Sequence, residues 1–254
     1  MIGSSTHLIN EISSLLVDSK HMVIFTGAGI STASGVPDYR GPDGVWTRRD
    51  QGLQPRAMKT PWNEVLPNKA HNSIVDLQEL GIMKALISQN VDGLHLKSGI
   101  NPNIIAELHG NKDFMKCLFC DQRYTKMEIL WDDSIYGKGY RSSEPTPNQP
   151  SCPNCENRII SSIINFSDPM PEKETIFSHE QSKLSDLFLV IGSSLVVHPA
   201  AGYPRIAKKH GAKLIIINQG KTPMDNIADI AIDEDCTHIL PRIVDEVKIK
   251  LKNR

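Results

Sequence analysis

Apolar residues recur along this chain in two periods. Over residues 6–18, Leu8, Ile12, Leu15 and Leu16 fall on one face at helical spacing, and Ser4 or Ser5 is placed to cap the start, which predicts a first helix. Residues 22–25 form a short unbroken apolar run that ends at Gly27, the pattern of a strand buried on both faces. Runs of the same kind occupy residues 85–88, 187–191, 214–217 and 227–232. Helical patterns lie between and after them. Residues 69–80 carry Ile74, Leu77 and Leu80, residues 200–210 precede the fourth strand, and residues 237–251 put Leu240, Ile243, Val244, Val247 and Leu251 on one face. Buried strands alternating with helices predict an α/β chain with a Rossmann-like, doubly wound parallel sheet.

Two regions break the alternation. Residues 41–67 are rich in Pro, Gly and charge, a loop long enough to suggest a function. Residues 112–165 contain two C-x-x-C pairs and a stretch rich in Ser, Pro and Gly over 137–150, so they read as a small inserted module.

Bulk properties narrow the function classes. A formal net charge of -1 over 254 residues gives no global basic field for nucleic acid or anionic membrane. No apolar run approaches the roughly 20 residues that span a bilayer, and residues 1–10 lack a basic start followed by an apolar block. Four of the five cysteines form the C-x-x-C pairs, which favours reduced thiolates on a metal over disulfides and an intracellular, cytoplasmic setting.

The turn after the first strand, Gly27-Ala28-Gly29-Ile30-Ser31, suits close approach to a phosphate. It departs from the dinucleotide fingerprint, which wants glycine where Thr32 stands, and the same residues also suit a plain tight turn. Two other strand ends strengthen the ligand reading: Gly192-Ser193-Ser194 and Asn218-Gln219-Gly220. In a doubly wound sheet the carboxyl ends of the strands share one edge, where ligands bind.

Cys117, Cys120, Cys152 and Cys155 offer four soft ligands in two knuckles, enough to close a tetrahedral zinc site with no open position for chemistry. A redox dithiol and an iron–sulfur cluster are the alternatives. The 31 residues between the pairs exceed the usual ribbon spacing, at small entropic cost. Cys236, at a strand end, reads as a small buried residue lining a pocket.

These motifs and their order resemble the sirtuins. The resemblance rests on Gly27-Ala28-Gly29-Ile30-Ser31, Gly35-Val36-Pro37-Asp38-Tyr39-Arg40, Gln89-Asn90-Val91-Asp92, Leu108-His109-Gly110, the paired C-x-x-C and Gly192-Ser193-Ser194. It spans about Val23 to Cys236. Gly41-Pro42-Asp43-Gly44-Val45-Trp46-Thr47 is similar to the branch containing mammalian sirtuins six and seven. So is residues 164–171, where Phe166-Ser167-Asp168 replaces the F-G-E of most members.

The resemblance implies an NAD-dependent protein-lysine deacylase that releases nicotinamide and O-acyl-ADP-ribose, with one structural zinc ion. Residues 1–36, 85–111 and 166–254 would form the NAD-binding domain. Residues 37–84 would supply the cofactor loop and the helical part of a small domain, and residues 112–165 the zinc module. Gly27, Ala28, Gly29, Ser31, Thr32, Asp38, Tyr39, Arg40 and Trp46 would surround the phosphates and nicotinamide ribose. Gln89, Asn90 and Asp92 would form the nicotinamide pocket. Gly192, Ser193, Ser194, Asn218, Gln219 and Cys236 would surround the adenosine half.

His109, whose imidazole titrates near neutrality, would be the catalytic base, assisted by Asn90 and Asp92. It would take a proton from a ribose hydroxyl. Phe166 and Met170 are read as the mouth of an acyl-lysine tunnel or as core, Trp62 and Trp131 as packing, and Lys248, Lys250, Lys252 and Arg254 as a solvated helix end. The partner class is acylated lysine in protein or peptide; no membrane is expected.

Two other functions compete. A mono-ADP-ribosyltransferase would use the same NAD site. A nucleic-acid or ADP-ribose binding module built on the zinc ribbon is disfavoured by charge, since Asp121, Glu128, Asp132, Asp133 and Glu144 offset Lys126, Lys138 and Arg141.

Overall fold

The computed structural model describes residues 2–41, 43–58 and 60–254, with side chains from residue 6 onward. Pro42 of the loop motif and the side chains of Ser4 and Ser5 lie outside the described residues. The chain opens with α1, Ile2–Asp18. That start is earlier than the apolar stripe predicts, and Ser4 and Ser5 fall within the helix span.

Strand β1, Met22–Thr26, leads into a 3-10 turn at Ala28–Ser34. Helix α2, Val45–Asp50, interrupts the long loop, and α3, Lys69–Glu79, follows. Strand β2, Met83–Ser88, helix α4, Leu94–Ser98, and strand β3, Ile105–Glu107, complete the first half of the sheet. Strands β4, Phe114–Cys117, and β5, Arg123–Thr125, helix α5, Asp133–Tyr136, and strand β6, Ile159–Ser161, form the inserted module. The chain then returns through α6, Glu172–Leu184, β7, Leu187–Ile191, α7, Tyr203–Lys209, β8, Lys213–Ile217, and β9, Ile230–Ile232, and closes with α8, Cys236–Lys252.

The large sheet has the order β3-β2-β1-β7-β8-β9 and is parallel throughout. Its strands are apolar on both faces because both faces are covered. Met22 and Ile24 pack with Ile12, Ile74 and Val244 from α1, α3 and α8. Val23 and Phe25 pack with Ala200, Tyr203 and Ala207 on the other side. Phe25 is fully buried, and its truncation to alanine should cost about 3–5 kcal/mol.

Helix α3 belongs to this core through Ala70, Ile74 and Leu77, whereas the motif reading places it with the smaller part. Asn68 caps it in a capping box with His71. Helix α8 is capped by Asp235, whose carboxylate accepts from the Thr237 amide at 2.8 Å. Its charges are not simply solvated: Lys248 pairs with Asp76 at 2.8 Å and Arg254 with Asp18.

The small sheet, β5-β4-β6, is antiparallel and encloses a core of six buried residues: Met115, Cys117, Ile129, Trp131, Cys152 and Ile159. Trp131 is 5% exposed and donates to the Gly137 carbonyl at 3.0 Å, as a packing tryptophan should. Trp62 is not a packing residue; it is 44% exposed, with the Lys112 ammonium 5.1 Å above its ring. Among the described residues no helix is long and apolar enough to cross a membrane.

Candidate active site at the carboxyl edge of the sheet

After β1 the chain goes on to β2 and β3 on one side, and β7 opens the other side, so the strand order reverses between β1 and β7. The loops that leave these two strands touch backbone to backbone. The Gly29 amide donates to the Gly192 carbonyl at 2.8 Å. A Cβ on Gly27 or Gly29 would lie 2.8 or 2.7 Å from that carbonyl oxygen. Gly192 has a φ of +61°, and a Cβ there would meet the Ile30 amide nitrogen at 2.4 Å. The glycines therefore serve loop-to-loop contact directly, a requirement the phosphate argument alone does not capture. Ala28, Gly29, Ser31 and Thr32 all lie in the 3-10 turn that follows, with the Thr32 hydroxyl donating to the Gly29 carbonyl at 3.0 Å.

Beneath that turn lies a buried polar network. Ser31 donates to Asp92 at 2.7 Å and accepts from the Asn90 amide at 3.2 Å. The other Asp92 oxygen accepts from the Leu94 amide at 2.9 Å. Asn90 Oδ1 is buried and has no partner among the described residues, an acceptor aimed at something other than protein.

Sequence reasoning missed the next layer. His95 hydrogen-bonds Thr26 at 2.8 Å, Thr26 donates to Ser88 at 3.0 Å, and Ser88 accepts from the Asn90 backbone amide at 3.1 Å. His71 lies 3.5 Å from the Ser31 hydroxyl, and the two imidazoles are 5.1 Å apart. Burial pushes His71 down to about 3 and His95 down to about 4, so both are neutral at pH 7. The one local signal was the capping box that His71 completes; nothing nearby in sequence marks His95.

Gln89 joins three elements. Its amide donates to the Thr26 carbonyl at 3.0 Å, and its side-chain oxygen accepts from Ser193 at 2.7 Å. Its own carbonyl lies 2.9 Å from Nδ1 of His109. A carbonyl can only accept, so Nδ1 carries the proton and Nε2 is left as a free base. Burial lowers the His109 pKa, partly offset by the Gln89 hydrogen bond, which raises it.

The loop before α2 folds over this edge. Asp38 accepts from the Gly41 amide at 3.2 Å, and burial raises its pKa. Tyr39 stacks near Trp46 at 6.3 Å, and Phe166 meets Trp46 edge-on at 5.4 Å. Arg40, Trp46, Phe166, Val196, Val197 and His198 line a cavity of about 400 Å³. Phe166 is 75% exposed at this mouth, whereas Met170 packs against the second face of the core. Arg40 also pairs with Asp50 at 2.8 Å.

At the β8 end, Asn218 donates to the Gln219 and Gly220 carbonyls, each at 2.9 Å, and so organises its own turn. Ser194 follows in the β7 loop. Cys236 is the first residue of α8 and not a strand end, and its thiol is buried and pushed up to about 12 by burial.

The four knuckle cysteines converge in the small module, with ligand atoms all within 4.8 Å of one another. The Cys117–Cys155 and Cys120–Cys152 sulfurs are 3.5 and 3.6 Å apart. Zinc–sulfur bonds of about 2.3 Å in a tetrahedron place sulfurs about 3.8 Å apart, so the cluster fits zinc.

Comparison with known proteins places the chain among relatives of one family. The model of the Sir2 family matches residues 53–199. An Archaeoglobus fulgidus protein named NAD-dependent protein deacylase 2 is 39% identical over 256 residues, covering 94% of this chain and 96% of its own. An Arabidopsis thaliana NAD-dependent protein deacetylase is 35% identical over 96% of this chain, which spans 50% of that longer relative. A solved structure described as Sir2–p53 peptide–NAD+ superposes with a TM-score of 0.72 at 32% identity, covering 94% of this chain and 98% of that one.

Proposed function

The chain belongs to the Sir2 family, and from that premise we propose that it removes acyl groups from protein lysines at the expense of NAD. The observation that carries the reading is the tautomer of His109: Nδ1 is committed to Gln89, so Nε2 is free to take a proton. NAD supplies a sugar carbon whose leaving group, nicotinamide, departs neutral, so a weak acyl-amide oxygen can replace it. What remains for the protein is to position, exclude water and accept one proton.

In this reading the Asn90 side-chain oxygen, unpartnered among the described residues, receives the nicotinamide carboxamide, and Asp92, fixed by Ser31 and the Leu94 amide, completes the pocket. Gly27, Ala28, Gly29, Ser31 and Thr32 form the phosphate turn. Asp38 braces the loop that presents Tyr39, Arg40 and Trp46. Arg40 exchanges Asp50 for the pyrophosphate, its planar fork suiting either partner. Gly192, Ser193, Ser194, Asn218, Gln219 and Cys236 line the adenosine side. The apolar mouth at Trp46 and Phe166 takes the acyl-lysine chain.

The two sheets form separate domains with the cleft between them, and zinc on Cys117, Cys120, Cys152 and Cys155 holds the smaller one. Four reduced thiolates support a cytoplasmic location. ADP-ribose transfer to protein is the weaker alternative, because the relatives carry deacylase and deacetylase names and the cavity mouth is largely apolar.

The test is incubation with NAD and acetyl-, succinyl- and myristoyl-lysine peptides, following nicotinamide and O-acyl-ADP-ribose by mass. Stoichiometric formation of both with at least one peptide is expected. Release of neither product from any of them would defeat the proposal.

A further inference from the structure

His109 sits in the middle of a five-residue segment that the small module grips from outside the NAD loops. Two residues before it, at the end of β3, Glu107 is only 4% exposed. One of its oxygens accepts from the Asn111 side-chain amide at 2.6 Å, and the other accepts from Arg123 of β5 at 2.6 Å. The Arg123 guanidinium lies 4.4 Å over the Phe114 ring. Asn111 is fully buried and exchanges two hydrogen bonds with Ser162: its amide donates at 3.0 Å, and its carbonyl accepts at 2.6 Å. The His109 carbonyl accepts from the Ile164 amide at 2.9 Å. Gly110 is pressed so close that a Cβ would lie 1.9 Å from the Ser162 carbonyl oxygen.

Stability alone does not account for this choice of residues. A buried ion pair is usually matched or bettered by well-packed apolar side chains, whereas losing one partner strands a buried charge. A second acid makes the site less favourable still, since Glu174 of α6 lines the same small cavity with one oxygen buried and unpartnered among the described residues. What the carboxylate does supply is direction, since one oxygen ties the His109 segment to Arg123 of β5 while the other closes the segment on itself at Asn111, which Ser162 of the module holds in turn.

We propose that Glu107 is a positioning residue for the proton transfer. Its carboxylate, held by Arg123 and Asn111, clamps the His109 segment to the small module, so that the module sets the aim of the imidazole. The clamp links chemistry to metal, because β5 follows the first cysteine knuckle and pairs with β4 through Lys116 and Arg123. This inference rests on His109 as the base.

The experiment compares Glu107→Gln, Arg123→Leu and the double Glu107→Leu/Arg123→Leu with the unaltered protein. It measures deacylation kinetics, exchange of labelled nicotinamide into NAD, bound zinc and the thermal midpoint. Exchange reports breakage of the glycosidic bond, which precedes the proton transfer, so loss of aim at His109 should spare it. Deacylation kcat should fall roughly 10- to 100-fold in every variant, with KM for NAD and the exchange rate within about twofold. The double variant should recover the thermal midpoint and keep full zinc yet remain slow.

Deacylation at the unaltered rate in Glu107→Gln would overturn the inference. So would parallel loss of exchange and deacylation, or recovery of kcat together with stability in the double variant. Should Glu107→Gln not fold, the double variant carries the test. Retention of deacylation by His109→Ala would instead defeat the reading of the base itself, a result distinguishable from all of these.

Discussion

The two sheets of this protein are stabilised in different ways. The parallel sheet buries apolar side chains on both faces, with Phe25, Phe188, Ile24 and Leu86 fully enclosed by helices. The antiparallel sheet has a core of six residues, and two of those belong to the cysteine cluster that fits zinc. A cluster that small cannot outweigh the conformational entropy of more than forty ordered residues over 112–165, so the module needs a staple. In the proposed reading the rigid sheet carries the turns that hold NAD. The stapled module carries the grip on His109. On the proposed reading, cofactor binding and proton transfer rest on separable structures and should fail separately.

The largest effect should come from the metal. Structural zinc contributes on the order of 10 kcal/mol to small domains. Cys152→Ser or exhaustive chelation should therefore abolish the near-ultraviolet signal of Trp131 and the deacylation rate, while far-ultraviolet dichroism keeps most of its helical content. A near-ultraviolet spectrum unchanged after complete zinc removal would erase the contrast between the sheets. Next, His109→Ala should lower deacylation kcat by roughly 10²- to 10⁴-fold, the usual worth of a general base, with little change in the melting temperature.

Gly192→Ala strikes the rigid side. A Cβ at φ +61° must enter the backbone of the neighbouring turn, and about 3 kcal/mol of stability should be lost along with affinity for NAD. Denaturant unfolding and a KM titration measure both. The histidine pair behind the pocket gives a comparable, pH-dependent effect. His71 and His95 have folded values of about 3 and about 4, below the ordinary 6.5.

Their neutral forms are accepted by the fold, so the stability they permit is present above pH 6.5 and is lost as pH falls from there toward about 4. The loss should be on the order of 3 kcal/mol for each histidine, less where the two are coupled, and smaller in His95→Asn. A flat stability profile over that range would contradict the neutral assignment. Lys248→Met removes an ion pair that is more than a third exposed on both sides, and it should cost less than about 1 kcal/mol in the same unfolding assay.

The buried strands were legible because a strand covered on both faces leaves an unbroken apolar run, as at Leu187–Ile191. Helix α6 left no such mark. Ile176 and Leu184 face outward, and its buried positions, Ser178 and Ser182, are polar. Ser182 makes this tolerable by donating to the Ser178 carbonyl within its own helix at 2.7 Å. Strand β3 has three residues, too few to show a period.

At the site, contiguous motifs such as Gln89-Asn90-Val91-Asp92 could be read, whereas contacts between distant residues could not. His95 and Thr26 are 69 positions apart, and Glu107 and Arg123 lie in different sheets. Trp62 was misplaced because residue type predicts burial but not the cation that lies over an exposed ring.

The central claim is that a free imidazole nitrogen on His109 faces the nicotinamide ribose at the junction of the two sheets. A crystal structure with NAD and an acyl-lysine peptide bound tests it most directly. The account predicts Nε2 about 2.6–3.2 Å from a ribose hydroxyl, or one water away, with Nδ1 still on the Gln89 carbonyl. An imidazole turned from the sugar and out of reach even through a water would contradict it.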